Sequence, residues 1–180
     1  MKRFLALALV MLLAQAAQAA DFTLTGPTLN PATPLAAKHI LNGHGCEGGN
    51  ISPALAWQNP PAETKSFAVT AYDPDAPTGS GWWHWVVFNI PATATSLPEG
   101  ASSTGQLPDG AIDSLTDFGA PGYGGACPPQ GDKPHRYIFT VYALDVPALD
   151  LKASTMPAMA GFMLGKHTLA KASLTVTFGR

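Results

Sequence analysis

The chain has 180 residues with a formal net charge of −2, and only 12% of its residues are charged, about half the usual share for a globular domain. It shows no basic patch or stripe, which argues against a nucleic-acid partner, and its slight negative balance gives no reason to expect an anionic membrane surface. Seventeen prolines and eighteen glycines point to long ordered loops between strands rather than to a helical protein.

The amino terminus carries Lys2 and Arg3, then an uninterrupted apolar run from Phe4 to Leu13, then Ala17-Gln18-Ala19. A positive start, a short apolar stretch and small residues at the two positions a signal peptidase reads make an export signal. The apolar run is about half the roughly twenty residues a membrane-spanning helix needs. A buried first helix is the alternative, but nothing polar breaks the run to give it a face. The expected organisation is a signal peptide over 1–19 and one domain over 20–180, the mature protein being periplasmic or secreted with no transmembrane segment. Removing Lys2 and Arg3 takes the formal charge to −4. The remaining length suits one domain with one core.

Phe22 to Thr25 reads as a short strand ended by Gly26-Pro27. Residues 42–61 read as loop, broken by Gly43, Gly45, Gly48, Gly49, Pro53, Pro60 and Pro61. Ser66 to Tyr72 is a strand, and His84 to Ile90 is a continuous β-rich run expected to be buried on both sides. A loop-like stretch between Pro91 and Pro134 follows, long enough to carry function or extra short strands. Arg136 to Leu144 is a third strong strand, and Ser173 to Phe178 a fourth, alternating Leu174, Val176 and Phe178 against Thr175 and Thr177. Only Thr155 to Ala172 reads as helix, with Pro157 in its first turn and Met159, Phe162, Met163 and Leu169 suggesting one apolar side. The expected fold class is mostly β: an antiparallel β-sandwich with one late α-helix packed at one end.

Two segments could carry chemistry. In the first, Asp73-Pro74-Asp75-Ala76-Pro77 follows a strand, and Trp82-Trp83-His84-Trp85 opens the next. The prolines restrict the backbone and so hold the carboxylates, although Asp and Pro are also ordinary turn residues. In the second, Gly122 to Pro129 precedes His135-Arg136-Tyr137. Successive glycines let backbone N–H groups converge on an anion, and His135 and Tyr137 share one face of a strand. A glycine-rich connection with a satisfied core histidine is the blander reading. If the strands are neighbours, both histidines and Asp73 converge at one end of the sheet, where histidine attracts phosphate or carboxylate when protonated. Cys46 and Cys127 are natural disulfide partners after export, two separate buried thiols being the alternative. His39, His44 and His167 are assigned no role.

These two motifs, in this order, together with Asn50-Ile51-Ser52-Pro53 and the 66–72 strand, resemble the phosphatidylethanolamine-binding protein family. The chain is most similar to the bacterial branch described as Raf-kinase-inhibitor-like. The resemblance covers essentially the whole mature chain. It implies a β-sandwich on a large central antiparallel sheet and a shallow pocket for phosphate, acetate or phospho-head groups. By motif position Asp73, His84, His135 and Tyr137 would line that pocket, Trp82, Pro74 and Pro128 would shape its wall, and the backbone at Gly125 and Cys127 would supply amide donors. A Cys46–Cys127 disulfide would brace the pocket loop. The carboxy-terminal helix of eukaryotic members has no counterpart before Arg180, which leaves lipid binding and kinase control unsupported.

The expected function is therefore an exported, non-catalytic binder of a small anion or phosphorylated small molecule, with no cofactor. An inhibitor of another exported protein, kinase or protease, is the alternative. A metal-dependent hydrolase ranks below both, because two His and two Asp could ligate zinc but their spacing matches no metal pattern. Thr78-Gly79-Ser80-Gly81 lacks the first glycine of a nucleophile elbow.

Overall fold

A computed structural model of the chain describes residues 20–180; the export signal expected over 1–19 lies outside the described residues. In chain order the elements are β1 (Thr23–Thr25), a 3₁₀ turn (Ala37–His39), β2 (Asn42–Gly43), β3 (Cys46–Glu47), β4 (Leu55–Gln58), β5 (Ser66–Asp73), β6 (Trp82–Pro91), β7 (Ser96–Leu97), α1 (Ala101–Thr104), β8 (Ile112–Asp113), β9 (His135–Leu144), α2 (Pro157–His167) and β10 (Thr168–Phe178). A five-stranded sheet in the order β10-β9-β5-β6-β8 packs over a three-stranded sheet in the order β1-β4-β7, and β2 pairs with β3. The paired strands are antiparallel, as the mostly β, antiparallel expectation requires.

The apolar runs in β5 and β6 follow from burial on both faces of the large sheet. One face puts Phe67, Val69, Ala71, Trp85, Val87, Tyr137, Phe139 and Val141 against Leu24, Leu55, Trp57 and Leu97 of the smaller sheet. The opposite face puts Ala68, Val86, Phe88 and Leu144 against Ala160 and Leu164 of α2. Trp57 and Phe67, 2% and 1% exposed, pack with ring centroids 5.3 Å apart; complete burial of such a side chain contributes roughly 1.5–3 kcal/mol.

Three sequence expectations give way. Residues 42–61 contain β2, β3 and β4 rather than loop alone. Leu55 and Trp57 alternate with Ala56 and Gln58 in burial, but four residues between prolines are too few for that alternation to show above the breakers. The helix expected over 155–172 ends at His167, because β9 is long enough to pair Thr168 with Leu144 and Lys171 with Tyr142, which draws residues 168–172 into β10. The apolar side expected for the helix is also corrected: Met159 and Phe162 are 53% and 67% exposed, and the buried face is Pro157, Ala160 and Leu164.

Candidate functional site

β5 is central, with β6 on one side and β9 on the other. The histidine-bearing strands are thus not neighbours of each other; both flank Asp73 at the end of β5. Ala71 pairs with Trp85 and Tyr72 with Trp83, so His84 is the extra residue of a β-bulge. Such a bulge re-aims a side chain. It also explains why Trp83 packs on the α2 side while Trp85, two residues on, packs on the sandwich side.

A cavity of about 270 Å³ opens at this end, lined by Leu41, His44, Asp73, Ala76, Pro77, Thr78, Trp82, His84, Phe118, Cys127, Pro128, Pro129 and His135. On its floor His135 Nδ1 is 2.7 Å from Asp73 Oδ2, and the Asp75 and Ala76 backbone N–H groups donate to Asp73 Oδ1 at 2.8 and 3.1 Å. Asp73, His84 and His135 are each buried. Burial lowers the His84 pKa, against the opposing pull of the Gly124 carbonyl and the Asp73 charge. Asp75 turns outward instead: its carboxylate accepts both Nε and Nη2 of Arg136, at 2.9 and 2.7 Å. That contact is the main reason its pKa falls to about 2.

Of the residues expected at the pocket, Asp73, His84, His135, Trp82, Pro128 and Cys127 line the cavity; Tyr137, Pro74 and Gly125 do not. Tyr137 is 2% exposed and lies behind His84, ring against ring at 5.1 Å. Among the described residues its hydroxyl has no hydrogen-bond partner, and burial raises its pKa. Pro74 fixes the turn that lets Asp73 accept from Asp75 and Ala76. The expected Gly125 amide donor is corrected as well. Its N–H is spent on Asn50 Oδ1 at 2.7 Å, and it is the Gly124 and Gly125 carbonyls that face His84 Nδ1, at 2.8 and 3.2 Å. The glycines allow close approach rather than anion contact: a Cβ on Gly125 would lie 2.3 Å from the Leu41 nitrogen.

Several residues of the site carry no motif of their own. Phe118 packs edge-on against Trp82 at 5.4 Å and His84 at 5.3 Å, and lies 6.0 Å from His44 across the mouth. His44, assigned no role from sequence, is part of the lining. Asn50 holds the glycine loop by donating to Tyr123 O and accepting from Gly125 N, with a φ of 51° that Asn tolerates better than most residues. Cys46 and Cys127 are bonded as a disulfide. Beside it Arg180 Nε donates to Pro128 O and Nη1 to Gly45 O, both at 2.7 Å, so bridge and guanidinium tie together the two loops that carry His44 and Pro128. His39 is the buried structural histidine the blander reading describes: its ring nitrogens meet Thr28 Oγ1 at 2.9 Å and Ile51 O at 2.7 Å. His167 closes α2 beside Asp145 at 2.9 Å.

Comparison with known proteins identifies the family. Residues 30–179 match the family model described as phosphatidylethanolamine-binding protein. The UPF0098 protein YbcL of Escherichia coli is 50% identical over 164 residues, covering 90% of each chain. Its crystal structure, described as a new member of the mammalian PEBP family, superposes with a TM-score of 0.87 over 89% of this chain and 99% of that one. E. coli YbhB is 56% identical over 142 residues, 78% of this chain and 89% of that protein. The PEBP homologue CT736 of Chlamydia trachomatis superposes at 32% identity with a TM-score of 0.73 over 88% of this chain and 97% of that one. With a matched model over most of its length and relatives this similar, the chain belongs to the phosphatidylethanolamine-binding protein family.

Proposed function

We propose that the protein is an exported, non-catalytic binder of a small oxyanion or phosphorylated small molecule, held at the end of β5. One observation carries this reading: two histidines from the flanking strands and a fully hydrogen-bonded aspartate meet on the floor of a cavity sized for a head group. The Trp82 Nε1 donor at its wall is buried without a partner among the described residues, and a buried donor left unpaired costs about 1–3 kcal/mol. Support for a non-catalytic role comes from the groups that could act as nucleophiles. The Thr78 hydroxyl donates to Gly81 O, and the Cys127 sulfur is bonded to Cys46. Among the described residues no helix is long and apolar enough to cross a membrane.

Titration calorimetry with inorganic phosphate and phosphoethanolamine tests the binding reading. Saturable heat is expected, with affinity at least about tenfold lower in His84→Ala and His135→Ala, a loss of roughly 1.4 kcal/mol. No saturation with any phospho-compound into the millimolar range would sink it. Export is checked by sequencing the amino terminus of the secreted protein, which should begin at Ala20; a product that retains Met1 would contradict it.

A further inference from the structure

Hydrogen-bond polarity on the cavity floor says what kind of anion fits. His84 Nδ1 meets only carbonyl oxygens, Gly124 O and Gly125 O. Carbonyls only accept, so Nδ1 carries a hydrogen and the lone pair of the neutral ring sits on Nε2. That nitrogen has no partner among the described residues and is not among the sealed polar atoms; it opens on the cavity that His84 lines. His135 differs, with a carboxylate on each side of its ring. Its Nδ1 donates to Asp73 Oδ2, and its Nε2 has only Asp132 Oδ2 nearby, at 3.6 Å, too far for a hydrogen bond. The His84 ring thus presents a bare acceptor to the cavity, near the buried Asp73 carboxylate.

The surrounding charge does not correct this. His84 faces Asp73 from β5, the Asp117 carboxylate from the loop that carries Phe118, and the uncharged ring of Tyr137 from β9. His135 faces Asp73 and Asp132. Lys133 and Arg136 lie beside it in the outer cleft, where Arg136 is committed to Asp75. His44 stands at the mouth. A fully ionised oxyanion reaching Nε2 of the neutral His84 would meet a lone pair backed by the Asp73 and Asp117 charges rather than a donor.

We propose that the cavity takes its oxyanion together with one proton, so that its ligand class is a phosphate monoester or a carboxylate in acid form, bound through an O–H···Nε2 hydrogen bond to His84. This rests on the anion-binding reading above and specifies it. No bond between heavy atoms changes; the proton arrives with the ligand or from solvent, forming one O–H bond, and is shared between the ligand oxygen and the imidazole. Burial of His84, which lowers its pKa, keeps Nε2 available as an acceptor near neutral pH.

Calorimetry with phosphoethanolamine in two buffers of different ionisation heat, from pH 5 to 8.5, tests it. A phosphomonoester has a second pKa of about 6. Above pH 7 the protein should therefore take up close to one proton per ligand, and Kd should rise about tenfold per pH unit. Acetate titrated in parallel shows whether phosphate or carboxyl chemistry is preferred; proton uptake with either supports the proposal. Saturable binding with a flat Kd and no buffer-dependent heat would overturn the proposal and leave the anion pocket standing. No saturation at any pH would remove both. Nitrogen-15 spectra of the free protein give an independent check: His84 should be the Nδ1–H tautomer at pH 7.5, and an Nε2–H tautomer or an imidazolium there would overturn the inference.

Discussion

Asp73 is 2% exposed and accepts from three donors: the Asp75 and Ala76 N–H groups and His135 Nδ1. Asp73→Ala strands all three near the protein interior, where each lost partner costs about 1–3 kcal/mol less whatever water recovers. A loss of about 2–4 kcal/mol is expected from urea unfolding; a loss below about 1 kcal/mol would mean the turn holds without the carboxylate. His84 and His39 make a pH prediction. Burial lowers both pKa values below the ordinary 6.5, so as pH falls the unfolded chain binds protons before the folded one does. Stability from these residues is fully present above pH 6.5 and is lost below it, at up to about 1.4 kcal/mol per pH unit for each. The urea midpoint should hold from pH 7 to 8 and decline from 6.5 towards 5; a midpoint that rises on acidification would show that the histidines gain partners when charged. Asp73, His84 and His135 were legible in sequence because their residue types stand out against prolines and tryptophans. Phe118 and His44 were not, because an aromatic in a glycine-rich loop carries no mark of what it will touch.

Glycine separates two kinds of element. In α2 a Cβ on Gly165 would meet nothing, and glycine in a helix interior costs about 0.5–1 kcal/mol relative to alanine. Gly165→Ala should therefore raise the melting temperature by a few degrees. In the loop before β9 a Cβ on Gly125 would lie within 2.4 Å of Leu41 and Ile40 backbone atoms, so Gly125→Ala must push the loop off His84. Thermal melts that fall for Gly125→Ala and rise for Gly165→Ala are expected; the reverse order would contradict the packing described. The strong strands β5, β6 and β9 were readable because their apolar runs are long. β4 was hidden by its shortness. The true end of α2 was hidden because residues 168–172 suit either helix or strand until β9 lies beside them.

At the scale of the molecule, the Cys46–Cys127 bridge closes 81 residues of chain and ties the loop bearing His44 to the loop bearing Pro128. A loop of that size is restricted in the unfolded state by an amount worth on the order of 4 kcal/mol in the chain-entropy account, and measured values for disulfides typically run 2–4. The double variant Cys46→Ser with Cys127→Ser should unfold about 2–4 kcal/mol more easily and bind phosphoethanolamine more weakly. Unchanged affinity in the variant would show that Arg180, through Pro128 O and Gly45 O, holds the rim without the bridge.

By itself the sequence determined the fold class, the family resemblance and the residue types that would meet. Each of these is written in runs, motifs and counts along the chain. Only the tertiary structure decided that β5 separates the two histidine strands, that a bulge aims His84, that Tyr137 and Gly125 stand behind the cavity rather than in it, and which ring nitrogens face inward. Those properties depend on register and on hydrogen-bond direction between residues as far apart as Asn50 and Gly125, 75 positions along the chain, and no local pattern encodes them.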